Sequence, residues 1–226
     1  MDIGDGLSLY VDDRDSLGLR EHGCYEPYET GLLLALIGPG SVVLDIGANI
    51  GTFSVYAGTS ARGVTIYAYE PTAGFFALLG DNIRLNGLEH QVKCFNLAVG
   101  ADSRVRQLAL ESTTFSFPTL TPPAGDQVTR TVDVQATSLA DILDANALER
   151  VDLLKMDCEG AEYETLYGTP DQYLARIGEI RMEYHQLPGE RCNKQALAAF
   201  LQSRGYRITM VTPAQANGNL WARRHD

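Results

Sequence analysis

Asp45-Ile-Gly-Ala-Asn-Ile-Gly51 follows directly on the apolar run Ser41-Val-Val-Leu44 and opens a stretch with helical character, Gly51–Gly58. Glycines at such a junction let the backbone turn sharply. They also let a ligand approach the helix N-terminus, whose free N–H groups favour a carboxylate or phosphate. Glu70 lies 19 residues beyond Gly51, at the end of the next β-branched run, Val64–Glu70. An acid in that position can accept hydrogen bonds from both hydroxyls of a ribose. Glycine turn, helix and strand-terminal acid together describe a site for a nucleoside-bearing cofactor.

The rhythm set by this junction continues along the chain. After the strands at Ser41–Ile46 and Val64–Glu70, further strands are expected at Gln91–Leu97, Val151–Met156 and Gly178–Tyr184, with Tyr206–Val211 and Asn219–Ala222 as a closing pair. Helices are expected at Gly51–Gly58, Thr72–Leu85, Ala161–Leu166 and Asn193–Arg204. The last is the clearest, with Asn193 as its cap, Leu197, Phe200 and Leu201 on one face and Gly205 at its stop. Strands alternating with helices imply right-handed crossovers and an α/β fold, a Rossmann-like, doubly wound and mostly parallel sheet with helices on both faces. Residues 101–138 break the rhythm. Arg104–Leu110 and Val128–Val134 alternate like strands around Ser112–Gln127, which is rich in Ser, Thr and Pro, and this reads as a hairpin-like insertion with a long loop.

Composition narrows the function. The 226 residues suit one large domain with a sizeable core. Eighteen Lys+Arg against 29 Asp+Glu leave a formal charge of −11, which repels phosphate backbones and anionic membranes. Neither nucleic acid nor membrane is therefore expected as a partner. Met1 to Asp15 carries five aspartates and no lysine, unlike a signal peptide. The most apolar run, Leu32–Ile37, is far short of the roughly 20 residues that span a bilayer. Cys24, Cys94, Cys158 and Cys192 are scattered without a C-x-x-C pair, so reduced thiols in a cytoplasmic protein are expected.

The kind of cofactor follows from the glycines. A dinucleotide fingerprint needs G-x-G-x-x-G, but Asn49 and Thr52 stand at its second and third glycines. No G-x-x-x-x-G-K-[ST] phosphate loop occurs. The D-x-G-x-x-x-G turn with a strand ending in Glu70-Pro71 resembles instead the S-adenosylmethionine site of class I methyltransferases. A further run, Val151-Asp-Leu-Leu-Lys-Met-Asp-Cys-Glu-Gly-Ala-Glu162, places Lys155, Asp157, Glu159 and Glu162 around a Gly160 turn. With the first turn, Tyr69-Glu-Pro71 and Asn96-Leu-Ala-Val-Gly100, it resembles the FkbM family of methyltransferases, marked by D-x-G-A-N-x-G and K-x-D-x-E-G-x-E. The likeness covers roughly Glu29 to Arg223, leaving residues 1–28 as an N-terminal segment and 29–226 as the methyltransferase domain.

The resemblance implies a seven-stranded sheet and transfer of a methyl group, usually to oxygen on a sugar or natural-product metabolite. It implies that Asp45, Gly47, Asn49 and Gly51 line the methionine end of S-adenosylmethionine. Glu70, with Pro71 beside it, would hold the ribose, and Asn96 and Ala98, at the end of the third strand, would lie against the adenine. Asp157 would sit at the cofactor crevice, and Thr30 could reach the cofactor carboxylate.

In-line methyl transfer needs an acceptor oxygen held near the methyl and a group that takes its proton. Asp157 and Glu159 qualify by position after the fourth strand. His185, in Met182-Glu-Tyr-His-Gln-Leu-Pro-Gly189, ranks first as base because its ordinary pKa is near neutral. A structural histidine is the competing reading. Glu183 is expected to point away from His185, or to sit in a buried pair with Lys155 or Arg181. Glu162 is expected to complement a helix dipole. Asp157, Glu159 and Glu162 could hold magnesium, but Lys155 in the same run and the lack of a second acidic cluster after the fifth strand argue against it, and no metal is expected. Tyr25, Tyr28, Phe115 and Phe117 are candidates for an acceptor pocket, and Arg181 and Arg191 for an anionic acceptor. An N-methyltransferase, a non-catalytic nucleoside-binding module and a nucleotide-dependent oxidoreductase stand as alternatives. Acceptor identity and oligomeric state are not written in these motifs.

Overall fold

A computed structural model describes residues 1–15, 17–23, 25–111, 128–212 and 217–225. The fold is α/β and Rossmann-like, with a seven-stranded, mostly parallel main sheet. The chain divides into two compact units, Met1–Asn96 and Leu97–Asp226.

The first unit contains α1 (Pro27–Leu34), β1 (Val42–Ile46), α2 (Thr52–Ser60), β2 (Thr65–Tyr69), α3 (Ala73–Leu85) and β3 (Val92–Phe95). β1 pairs with β2 in parallel, Val43 opposite Ile66 and Ile46 opposite Tyr69, and β2 pairs likewise with β3. Val43, Leu44, Ile66 and Ala68 have no exposed surface, as expected of strands covered on both faces. The N-terminal residues are tied to α3 by two asparagines. Asn86 exchanges bonds with the Ser8 backbone (3.0 and 2.8 Å), and the fully buried Asn82 does so with Tyr10 (2.6 and 3.0 Å).

The second unit opens with a short parallel pair, Ala98–Gly100 with Ala136–Ser138. Between them Arg106–Glu111 pairs antiparallel with Val128–Val134, the expected hairpin, while its loop at residues 112–127 lies outside the described residues. Then follow α4 (Leu139–Ala145), β4 (Val151–Met156), α5 (Glu162–Gly168), β5 (Ile177–His185), α6 (Lys194–Ser203), β6 (Tyr206–Val211) and β7 (Asn217–Arg224). β4 and β5 run parallel, β7 lies antiparallel to β5, and β6 is antiparallel to β7. The closing pair read from the sequence is thus a reversed ribbon at the end of the chain.

Caps explain where helices begin. Asn193 accepts the Ala196 N–H at 2.9 Å ahead of α6, and Ser138 accepts the Asp141 N–H at 3.1 Å ahead of α4. Gly205, at φ +84°, ends α6 as expected. Tyr206 then buries its hydroxyl against the carbonyls of Leu174 (2.7 Å) and Ile177 (2.9 Å). No helix among the described residues is long and apolar enough to cross a membrane.

Candidate active site

The glycine turn between β1 and α2 holds three left-handed residues, Gly47 (φ +74°), Asn49 (+52°) and Gly51 (+88°). Asparagine tolerates that region better than most side chains. Gly47 and Ala48 both donate to the Tyr69 carbonyl at 3.0 Å, which locks the turn to the end of β2. Glu70, 5% exposed, uses one carboxylate oxygen to accept the Asn49 N–H (3.0 Å) and the other to accept the Thr72 N–H (2.8 Å). It therefore shapes the turn as well as ending the strand. Asp45 has no exposed surface and accepts the Ser54 hydroxyl at 2.6 Å, anchoring α2 from within. Asn82 of α3 donates to the Ile50 carbonyl at 2.7 Å and fastens the far side of the turn.

Asn96 stands just past β3 and donates its amide to the carbonyls of Glu70 (2.8 Å) and Pro71 (2.9 Å). Five expected cofactor residues of the first unit, Gly47, Asn49, Gly51, Glu70 and Pro71, thus belong with Asn96 to one hydrogen-bonded group, while Asp45 is joined to Ser54 of α2. Thr30 stands apart in α1, where its hydroxyl donates to the Tyr25 carbonyl at 3.0 Å. Ala98 differs from expectation. The third strand stops at Phe95, and buried Ala98 begins the separate pair in the second unit, donating its N–H to Gln135 at 2.8 Å.

In the second unit, β4 delivers Asp157 just past its last residue and β5 ends on His185. The turn between β4 and α5 is strained, with Glu159 at φ +52° followed by Gly160 at +102°. A non-glycine residue held there is a recurrent mark of functional sites. His185 lies between two carboxylates: Nδ1 is 3.1 Å from Glu162 Oε1, and Nε2 is 3.3 Å from Glu159 Oε2. Glu162, without exposed surface, also accepts the N–H groups of Cys158 (3.3 Å) and Gly160 (3.2 Å).

The electrostatics bear on which group takes the acceptor's proton. Burial alone would lower the His185 pKa, but the Glu162 hydrogen bond and the charges of Glu162, Glu159 and Glu183 outweigh it and raise it to about 9. The raised pKa favours the imidazolium near neutral pH, with carboxylates facing both nitrogens. Burial raises Glu159 to about 7, the imidazolium opposing the shift and the Asp157 and Glu162 charges adding to it.

Three side chains differ from their expected places. Glu183 and His185 are two positions apart on β5 and share a face, because only successive residues alternate. Glu183 accepts the Asn217 amide at 2.6 Å. Arg181, 7% exposed, pairs with Glu179 and lies 4.1 Å over the Trp221 ring, so it does not serve an anionic acceptor. Arg191 stacks 4.4 Å over Tyr167. Tyr28 is 70% exposed on α1, and Phe115 and Phe117 lie outside the described residues. The reach of Glu162 to His185 went unread. Its signal was present as an acid two residues after Gly160, opening a helix that follows a strand end.

A Rossmann-like sheet with a glycine turn and a strand-terminal acid defines a nucleoside-cofactor α/β enzyme fold. The family model described as the Methyltransferase FkbM domain matches residues 45–208, and the chain belongs to this methyltransferase family. It is 28% identical over 202 residues to 31-O-demethyl-FK506 methyltransferase FkbM of Streptomyces tacrolimicus, covering 76% of this chain and 74% of that one. It is 27% identical over 194 residues to Methyltransferase sdnD of Sordaria araneosa, covering 74% of each. The crystal structure of a Methyltransferase FkbM from Methylobacillus flagellatus aligns over 82% of this chain with a TM-score of 0.55 and 14% identity. This chain spans 44% of that structure's length, and the likeness is one of fold.

Proposed function

We propose that this protein transfers a methyl group from S-adenosylmethionine to a hydroxyl oxygen of a small molecule, a sugar or natural-product metabolite. Family membership carries the reading, and the name of the Streptomyces relative, which places its methyl on an oxygen, favours oxygen over nitrogen. S-adenosylmethionine supplies an electrophilic methyl on a positively charged sulfur.

The first unit's residues suit that cofactor. Glu70 is held at the end of its strand by the Asn49 and Thr72 N–H groups, and a carboxylate in that position is suited to accept from ribose hydroxyls. Thr52, the first residue of α2, keeps its hydroxyl buried without a hydrogen-bond partner, beside the backbone turn of Gly47, Asn49 and Gly51. Pro71, Asn96 and Thr30 complete the proposed cofactor contacts of this unit, and Asp45 supports the turn through Ser54. In the second unit Asp157, Glu159 and His185 handle the acceptor. Both imidazole nitrogens face carboxylates, so proton removal passes to Glu159, with His185 holding it in place and Asp157 orienting the acceptor.

The test is calorimetric titration with S-adenosylmethionine and S-adenosylhomocysteine, with NAD as control. Saturable binding of the first two alone, followed by turnover on a hydroxylated acceptor, is the expected result. Binding of NAD instead would overturn the reading in favour of an oxidoreductase, and binding without turnover on any acceptor in favour of a nucleoside-binding module. Methylation of an amine in preference to a hydroxyl would overturn the oxygen assignment. Glu70→Ala should weaken S-adenosylmethionine binding at least tenfold, since charge-assisted bonds contribute about 1.5–3 kcal/mol each. His185→Ala should lower turnover while leaving cofactor affinity within about twofold, a change of under 0.5 kcal/mol.

A further inference from the structure

The second unit gathers more donors around His185 than proton transfer requires. Asp157, Glu183 and His185 each bring one ligand atom to a common point, all within 4.8 Å of one another. Two are already oriented by neighbours outside the trio: Glu183 accepts the Asn217 amide at 2.6 Å, and His185 Nδ1 lies against Glu162 at 3.1 Å. Nε2, which lies 3.3 Å from Glu159 Oε2, is the nitrogen that would turn to the ion, His185 giving up its proton there on binding.

A second observation comes from Glu162 itself. Its carboxylate is fully buried and turned to His185, and its second oxygen, Oε2, is buried without a hydrogen-bond partner. Burying an anion in this way is costly unless positive charge lies close by, and here that charge sits on His185, as an imidazolium or as a histidine that holds a cation. Metal-bound histidines characteristically donate their other ring N–H to such a carboxylate, which fixes the tautomer and strengthens the ligand.

We propose that Asp157, Glu183 and His185 form a site for one divalent first-row transition ion, with Glu162 as the residue that orients His185. One imidazole nitrogen and two carboxylate oxygens suit manganese(II) or zinc(II) better than the all-oxygen cages of calcium and magnesium. Three protein ligands leave positions open for an acceptor oxygen, whose proton a bound cation makes easier to remove. The sequence argued against a metal because no second acidic cluster follows the fifth strand; Glu183 supplies the missing carboxylate from within it. The role in catalysis rests on the methyl-transfer reading above, whereas the site itself does not.

The full-length chain, freed of metal with a chelator and dialysed, is titrated calorimetrically with manganese(II) chloride and then zinc(II) chloride, with no cofactor present. Saturable one-to-one binding of at least one ion is expected. Glu183→Gln should weaken it at least tenfold, and Glu162→Gln by about 10–100-fold, the range for an outer partner of a ligating histidine. Far-UV circular dichroism and S-adenosylmethionine titration of the same variants establish that they are folded. Absence of saturable binding of either ion to the wild-type chain overturns the site, as does equal affinity in wild type and Glu183→Gln, which would put the ion elsewhere. Failure of the wild type to bind S-adenosylmethionine would overturn the cofactor reading while leaving the metal titration to decide the site.

Discussion

Gly51 carries two demands that no other residue meets together. Its φ of +88° lies in the left-handed region, and an added Cβ would stand 2.6 Å from Leu79 Cδ1. The leucine end can move, but the backbone conformation is unfavourable to any L side chain by roughly 1–2 kcal/mol. Gly51→Ala should therefore lower the melting temperature by about 2–8 °C in a chain of this length, measured by differential scanning calorimetry. An unchanged melting temperature would mean that the turn relaxes freely. The sequence made Gly51 and Glu70 visible because each sits at a junction between periodicities. It could not show that Glu70 holds the Asn49 N–H or that Asp45 holds Ser54, since those bonds depend on how the turn folds back. Glu162 illustrates the same limit. Its place in a helix N-terminus was legible, but its contact with a histidine 23 residues onward needs two strands in register.

At the scale of elements, legibility followed pattern length. The main-sheet strands and α6 announce themselves through runs of apolar residues or a repeating apolar face. The short helices α1 and α4 do not, because seven or eight residues hold only two turns of pattern, whereas the equally short α5 is marked by the Gly160 turn ahead of it. For α4 the cap was there to be read: Ser138 and Asp141 stand three apart and bond reciprocally, Asp141 taking the serine hydroxyl at 2.9 Å. Capping of this kind contributes about 1 kcal/mol. Asn193→Ala, which removes the cap of α6, should destabilise the chain by a similar amount in urea unfolding, with the slope of the transition unchanged. The third strand, Val92–Phe95, is shorter than the expected Gln91–Leu97, since Asn96 turns to bond Glu70 and Pro71 and Ala98 pairs elsewhere.

Across the whole molecule, charge and thiols set the chemistry offered to the surroundings. The surplus of 11 negative charges predicts no retention on heparin even at low salt; retention that falls with added salt would reveal a local basic patch. Burial, with the Asp45 charge adding to it, pushes the Cys94 thiol up to about 11, and burial together with the Glu162 and Asp157 charges raises that of Cys158. Both should react slowly with a thiol reagent at pH 8 in the folded protein and rapidly in guanidinium, because the thiolate is the reactive form.

Trp221 is the single tryptophan of the chain. It lies in β7, 8% exposed, opposite Arg181 in register and beneath its guanidinium. Indole fluorescence is therefore a local optical reporter of the closing ribbon. If the two compact units lose structure at different denaturant concentrations, the emission change and the helical circular dichroism signal will part company. A midpoint read from fluorescence alone would then describe only the half of the protein that carries the indole.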